Sequence, residues 1–79
     1  MIHQRAGTLT LMAFRHDPSA RLVIGHRGRA YHLSVKFHRR APDTGIAYPE
    51  KWRVGVGTAR EMEARRDELM EWVQEQEQK

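Results

Sequence analysis

Histidine is the residue type in this chain best suited to proton transfer near neutral pH. Two of its five histidines, His26 and His32, lie close to Arg27 and Arg29 in the sequence. A metal-free ribonuclease needs a general base beside cations that stabilise charge on a scissile phosphate. Because all four side chains fall in one predicted hairpin, a small metal-free ribonuclease is one function that the sequence allows.

Other catalytic and metal-binding arrangements find little support. The chain has no cysteine, and His32 and His38 would lie roughly 20 Å apart along one strand, too far to bind the same ion. His26 can approach His32 across a hairpin, but two ligands do not make a metal site. Ser19 follows a proline and Ser34 lies in mid-strand, so neither resembles the strained turn that carries a catalytic serine. We therefore predict no catalytic residue, no metal and no cofactor, and a protein that is not an enzyme.

Charge is divided unevenly along the chain. Its 79 residues carry a net charge of +4, but residues 1–57 hold ten Lys and Arg against three acids, whereas residues 58–79 hold four against seven. A basic surface attracts polyanions such as nucleic acid, and an acidic one does not. The first part of the chain is therefore the candidate for binding.

Length and composition indicate one small domain, residues 1–79. A domain of this size buries only roughly 60 % of its unfolded surface and leaves little room for a deep active site. The longest apolar runs fall far below the roughly 20 residues that cross a bilayer, and no charged-then-apolar leader opens the chain. Since cysteine is absent as well, we expect a soluble, cytoplasmic protein that does not bind membranes.

The stretch 30–37 organises the predicted fold. Its apolar residues Tyr31, Leu33, Val35 and Phe37 alternate with polar ones, which is the period-two pattern of a half-buried strand. Further strands are predicted at residues 8–14, 22–25 and 51–57, with residues 1–7 as a loosely ordered start. Residues 25–28 are predicted to form a hairpin tip, and residues 39–51 a long loop.

Alternation in the last strand predicts which side chains reach the core. Trp52, Val54 and Val56 would share the covered face with Tyr31 and Phe37, and the two glycines would face outward. Thr58 and Glu61 then have the spacing of a capping box, so a helix is predicted from Ala59 towards Gln76. Its apolar stripe consists of Met62, Leu69 and Val73, with Ala59, Met70 and Trp72 at the edges.

The predicted fold class is α+β: a three- to four-stranded antiparallel sheet over residues 8–57, with one amphipathic C-terminal helix, residues 58–77, packed on one face. The uncovered face is expected to carry cations that bind nucleic acid or another partner, and Tyr48 could add a stacking surface. The predicted binding residues are Arg27, Arg29, His32, Lys36, Arg39, Arg40, Tyr48 and Arg53. The alternative is a solvated basic surface that serves solubility alone.

A resemblance to a known family rests on four features: the strand from Tyr31, the turn at 43–45, the strand from Trp52 and the helix opened by Thr58. Together they resemble the arm-type DNA-binding domain of phage tyrosine recombinases over about residues 22–76. That resemblance implies a three-stranded sheet backed by one helix and inserted in the major groove of DNA. Lys36 and Arg53 would then face bases or phosphates, with Arg39 and Arg40 as backbone clamps. The sequence departs from the family after the turn, where Ile46-Ala47-Tyr48-Pro49 replaces more basic residues.

Two further resemblances point to other functions. In size and charge the chain is similar to small phage-encoded inhibitors such as anti-CRISPR proteins, which would imply masking of a host nucleoprotein complex. The contact candidates are then the loop 39–51 and the apolar residues Met12, Phe14 and Trp72, and Met70 with Trp72 could instead form a homodimer. Ribonuclease toxins with a double-stranded-RNA-binding-domain-like fold also place a histidine on such a sheet. They begin with a helix, which is not expected here.

We therefore expect a small basic binding protein of phage or mobile-element type that binds DNA. The alternatives are a phage-type inhibitor and, third, a metal-free ribonuclease.

Overall fold

The fold consists of two helices and three strands, shown by a computed structural model that describes residues 4–78. In chain order the elements are α1 (Gln4–His16), β1 (Arg21–Arg27), β2 (Ala30–Arg40), β3 (Ala47–Gly57) and α2 (Ala59–Glu77). The strands form one antiparallel sheet in the order β1-β2-β3. Both helices contact the sheet and each other. The α+β class and the C-terminal helix packed on the sheet are therefore confirmed.

The predicted strand at residues 8–14 is wrong, because this segment lies inside helix α1. Alternation of Thr and Leu suggested a strand, but the residues that α1 buries, Ala6, Gly7, Thr10 and Ala13, have helical spacing. The Thr10 hydroxyl donates to the Ala6 carbonyl at 2.7 Å, so a polar side chain is accommodated in the core. The sheet consequently has three strands and no fourth within residues 4–78.

The boundaries at the start of the chain change accordingly. Of the predicted loosely ordered start, residues 4–7 belong to α1, and residues 1–3 lie outside the described residues. The sheet begins at Arg21. An N-terminal helix, which the sequence was not expected to contain, is thus present.

The β1–β2 hairpin turns later than predicted. Arg27 pairs with Ala30, so Gly28 and Arg29 alone form the loop, and Gly25 lies inside β1 rather than at the tip. Gly28 has φ +65°, the left-handed conformation that a two-residue hairpin turn requires at its first position. β1 and β2 are therefore in register from Arg21 opposite Lys36 to the turn.

The predicted long loop at 39–51 is mostly strand. β2 continues to Arg40 and β3 begins at Ala47, so only residues 41–46 connect them, and Gly45 at φ +71° closes the turn. Since β1 pairs with β2 only as far as Lys36, the segment of β2 from Phe37 to Arg40 pairs with β3 alone. This end of the sheet is a two-stranded ribbon.

A bulge in β3 overturns the predicted facing of its last residues. Leu33 pairs with Gly55 and Ser34 with Arg53, so Val54 is the extra residue. Val54 is buried, Gly55 lies beneath Met62 and Arg65 of α2, and Val56 is turned outward with 59 % of its surface exposed. Gly55 and Gly57 thus face the helix. The prediction that Val56 joins the core is wrong.

The core lies between the helices and one face of the sheet. Leu33, Val35 and Phe37 of β2 are buried against Met62 and Leu69 of α2, as the alternation and the helical stripe predict. Phe37 also packs edge-on against Trp52, with ring centroids 4.6 Å apart. The capping box is confirmed, because the Glu61 amide donates to the Thr58 hydroxyl and the Thr58 amide to the Glu61 carboxylate, both at 3.1 Å. Hydrogen bonding to the carboxylate, first from the Thr58 amide and then from the Thr58 side chain, lowers the pKa of Glu61.

Candidate nucleic-acid interface

The sheet face turned away from the helices is the candidate site, and we call it the open face. Its positions follow from Leu33, whose full burial under the helices places His32 and Ser34 on the opposite side. Strand pairing then sets Arg21 and Lys51 on either side of Lys36, and Val23 and Arg53 on either side of Ser34. Between the β1–β2 turn and Lys36, six residues of the open face carry a charge or an imidazole ring: Arg21, Arg27, His32, Lys36, Lys51 and Arg53.

A row of three cations crosses the sheet at Arg21, Lys36 and Lys51. Side chains directly opposite on antiparallel strands have Cβ atoms roughly 4.5–5.5 Å apart, and like charges there are destabilising. Within residues 4–78, none of these three side chains, nor Arg27 or Arg53, forms a salt bridge. Within this part of the chain, no carboxylate therefore lies within salt-bridge distance of these five cations.

Acids border the open face at one end only. Asp17 and Glu50 line a depression of about 450 Å³ together with Arg21 and Lys36. The Glu50 carboxylate also accepts a hydrogen bond from the Trp52 indole N–H at 3.3 Å and lies 3.8 Å from the Arg39 guanidinium. These two contacts hold the carboxylate on the helix side of the sheet. The remaining open-face positions carry no acid, so positive charge dominates most of the surface.

A second depression, of about 520 Å³, lies over the centre of the open face. It is lined by side chains of all three strands, among them Arg27, His32, Ser34, Lys51 and Arg53. Gly25 lies directly opposite His32 and contributes no side chain, which leaves the opening next to the imidazole ring. We call this feature the Gly25 depression. It is shallow and polar, as expected for a site that contacts an anion rather than an apolar ligand.

His32 has an enclosed nitrogen. Its Nδ1 is inaccessible to solvent and has no hydrogen-bond partner among residues 4–78. A buried N–H without an acceptor costs more than a buried lone pair, so the tautomer that carries its proton on Nε2 is favoured. The ring therefore meets the depression as a hydrogen-bond donor.

Four of the predicted binding residues, His32, Lys36, Arg53 and Arg27, lie together on the open face. Arg40 shares its side by alternation, but its guanidinium donates to the Gly45 carbonyl at 2.9 Å and so closes the ribbon turn. Arg29 projects from the β1–β2 turn and is exposed.

Arg39 and Tyr48 are brought together elsewhere. They are cross-strand partners on the face of the ribbon that also carries Phe37. On this face the Arg39 guanidinium lies near the Glu50 carboxylate. Tyr48 is 38 % exposed. The structure does not place these two predicted residues on the open face.

His26 and His32 do not share a face, although the hairpin joins them in sequence. His26 pairs with Tyr31, and their rings lie 5.5 Å apart on the side of the helices. His32 points to the other side. The two side chains thus leave the sheet on opposite faces, although both residues line the Gly25 depression.

Arg21 and Lys51 were missed by sequence reasoning. Arg21 lies just before the predicted strand 22–25, and Lys51 is the first residue of the predicted strand 51–57. Only the register places each opposite Lys36. The available signal was parity: Lys51 lies two residues before Arg53, which was already assigned to this face.

Asp17 anchors the α1–β1 connection to β2. Its carboxylate accepts from the Ser19 hydroxyl at 2.7 Å, the Ser19 amide at 2.9 Å and the His38 amide at 2.9 Å. The His38 amide would otherwise lack a partner, because β1 ends its pairing at Lys36. The hydroxyl first, and then the amides, lower the pKa of Asp17 from 3.8 to about 2.

The apolar residues proposed as protein contacts differ in their accessibility. Phe14 packs against the core, and Met70 and Trp72 are half-buried along α2. Met12 is 43 % exposed and Ile46, at the ribbon turn, 67 %. The described residues contain no group of three His, Asp or Glu arranged to bind a metal ion, and neither α1 nor α2 is long and apolar enough to span a bilayer.

Comparison with known proteins gives no relative: no family model, no curated protein and no solved structure matches the chain. The function is therefore argued from the open face itself.

Proposed function

We propose that this chain is a non-catalytic nucleic-acid-binding protein that holds DNA against its open face. The observation that carries the proposal is the row Arg21, Lys36 and Lys51, because three adjacent cations that form no salt bridge within residues 4–78 repel one another. Neutralisation by phosphates would remove that repulsion. Arg27 and Arg53 extend the same charge towards the turn.

The shape of the open face supports contact with an extended polyanion. β2 is the central strand of the sheet from Ala30 to Lys36, and the molecule measures 39 × 35 Å across but only 18 Å in thickness. A protein that neutralises several phosphates along such a surface releases the counterions bound to them, and this release increases its affinity for the nucleic acid. DNA is favoured over RNA because of the resemblance to arm-type domains, with the difference that two helices, not one, back this sheet.

Binding of a short labelled DNA duplex, measured by fluorescence anisotropy at several salt concentrations, tests this proposal. With three to five phosphate contacts, the logarithm of the affinity should fall with the logarithm of salt with a slope of roughly −3 to −5. Lys36→Glu and Arg53→Glu should each abolish measurable binding. The matched control is Arg60→Glu, the same charge change on exposed α2, which should bind as the wild type does.

Absence of binding to DNA or RNA at low salt would refute the proposal. The phage-type inhibitor would then become the leading function. Its contacts would be sought at the exposed ribbon turn around Ile46 and at Met12, both of which are exposed apolar residues away from the open-face cations.

The metal-free ribonuclease remains a second candidate, because α1 supplies the N-terminal helix that such toxins have. His32 would have to act alone, since His26 is on the other face. General-base action also needs an unprotonated nitrogen facing the substrate, whereas the enclosed Nδ1 favours the opposite tautomer. Cleavage of a labelled RNA that disappears in His32→Ala but persists in His26→Ala would support this function over simple binding.

A further inference from the structure

Gly25 has no evident role in folding. It lies within β1, its φ is not in the left-handed region, and a Cβ added there would meet nothing within 4 Å. Glycine weakens a strand interior, and a β-branched residue would stabilise it. Glycine inside a strand often marks a place where a ligand approaches the backbone.

The space above Gly25 leads to His32. The two residues are cross-strand partners, so any side chain at position 25 would stand beside the imidazole. With glycine, the ring lines the depression and presents its Nε2 edge, because Nδ1 is enclosed. A hydrogen-bond donor is thus exposed at the floor of a polar opening.

Three cations line the depression that holds this donor. Arg27 lies two residues along β1 from Gly25, and Lys51 and Arg53 line the opposite wall on β3. An N–H donor among Arg and Lys side chains is the chemistry that binds a phosphate oxygen. The acids Asp17 and Glu50 do not line this depression.

We propose that the Gly25 depression is a phosphate subsite that takes one phosphate group of the bound nucleic acid, with His32 donating to it and Arg27 and Arg53 neutralising its charge. This inference rests on the proposed function for the identity of the polymer, but the subsite itself follows from the glycine and the histidine. It assigns Gly25 a role in binding.

Inorganic phosphate is the probe, followed by nuclear magnetic resonance of the His32 ring and of the backbone amides. Phosphate should shift the signals of His32, Gly25 and Arg53 in a saturable way, and chloride at equal ionic strength should not. Gly25→Val fills the depression and should remove the phosphate response. Ala47→Val adds a similar side chain to an exposed position of β3 and should keep it.

The same variants separate the subsite from the proposed function. Gly25→Val should weaken DNA binding roughly tenfold, whereas Ala47→Val should leave it unchanged. If the wild type binds phosphate but no DNA, the proposed function fails and the subsite stands as a site for a small phosphorylated molecule. A phosphate response in Gly25→Val equal to that of the wild type, or a wild-type response no larger than that to chloride, would overturn the subsite. His32→Leu, which removes the donor without filling the opening, provides a second variant and should also abolish the response at Arg53.

Discussion

Gly55 and Gly25 lie on opposite faces of the same sheet, and their surroundings differ completely. A Cβ on Gly55 would lie 2.9 Å from Cδ of Arg65 and 3.1 Å from Sδ of Met62, whereas a Cβ on Gly25 would meet nothing. The covered face therefore needs glycine so that helix α2 can approach β3. The open face has a glycine that packing does not require. Residues of the first kind maintain the fold, and those of the second are free to serve binding.

The largest difference in stability is expected between variants of Leu33 and His32, which are neighbours on β2 and point to opposite faces of the sheet. Leu33→Ala should lower the free energy of unfolding by about 2–5 kcal/mol, because it leaves a cavity in the fully buried core. His32→Ala should change it by less than about 0.5 kcal/mol. Urea denaturation followed by circular dichroism measures both, and equal losses would contradict the assignment of the two faces.

The two glycines provide the next test. Gly55→Val should lower the free energy of unfolding by about 1–3 kcal/mol, since Met62 and Arg65 must move to accommodate the new side chain. Gly25→Val should leave stability unchanged or raise it by about 0.5–1 kcal/mol. Thermal unfolding of the two variants compares them directly; a loss of stability in Gly25→Val would mean that packing does require its glycine.

Asp17 should give a smaller, pH-dependent effect. Because folding lowers the pKa of Asp17 from 3.8 to about 2, its ionised form stabilises the protein above pH 4, and this contribution is lost as pH falls towards 2. Asp17→Asn should therefore be less stable than the wild type at pH 7, with the gap closing as the solution is acidified. Urea midpoints of both proteins across this range provide the measurement, and a gap independent of pH would contradict it.

The smallest effect is expected in the cation row, where stability and binding should change in opposite directions. Lys36→Gln removes the central charge and should stabilise the free protein by about 0.2–1 kcal/mol. The same change should reduce the salt slope of DNA binding by about 1. Ser34→Ala, its neighbour on the same face, is the uncharged control and should leave the slope unaltered.

Part of this fold could be predicted because local signals and burial agree. The alternation of β2 reflects one buried face, and the Thr58–Glu61 capping box marks where α2 begins. Helix α1 was missed because residues 8–14 alternate as a strand does, while the helical spacing depends on small residues and on Thr10, a polar residue buried through its bond to Ala6. The facing of Gly55 and Val56 was missed because the bulge at Val54 leaves no mark in the alternation.

The candidate site was predicted less completely. His32, Lys36 and Arg53 followed from parity within their strands. Arg21 and Lys51 depend on register between strands, which single-strand patterns do not contain. The role inferred for Gly25 depends on the empty space above it, which only the packed structure shows.

The central claim is that the open face, and not the helices, contacts nucleic acid. Titration of the labelled protein with a short DNA duplex, followed by nuclear magnetic resonance of the backbone amides, tests this most directly. The account predicts shifts at His32, Ser34, Lys36, Lys51 and Arg53, with the amides of α2 unchanged. Shifts concentrated on α1 or α2 with the open face unaffected, or no shift at low salt, would contradict it.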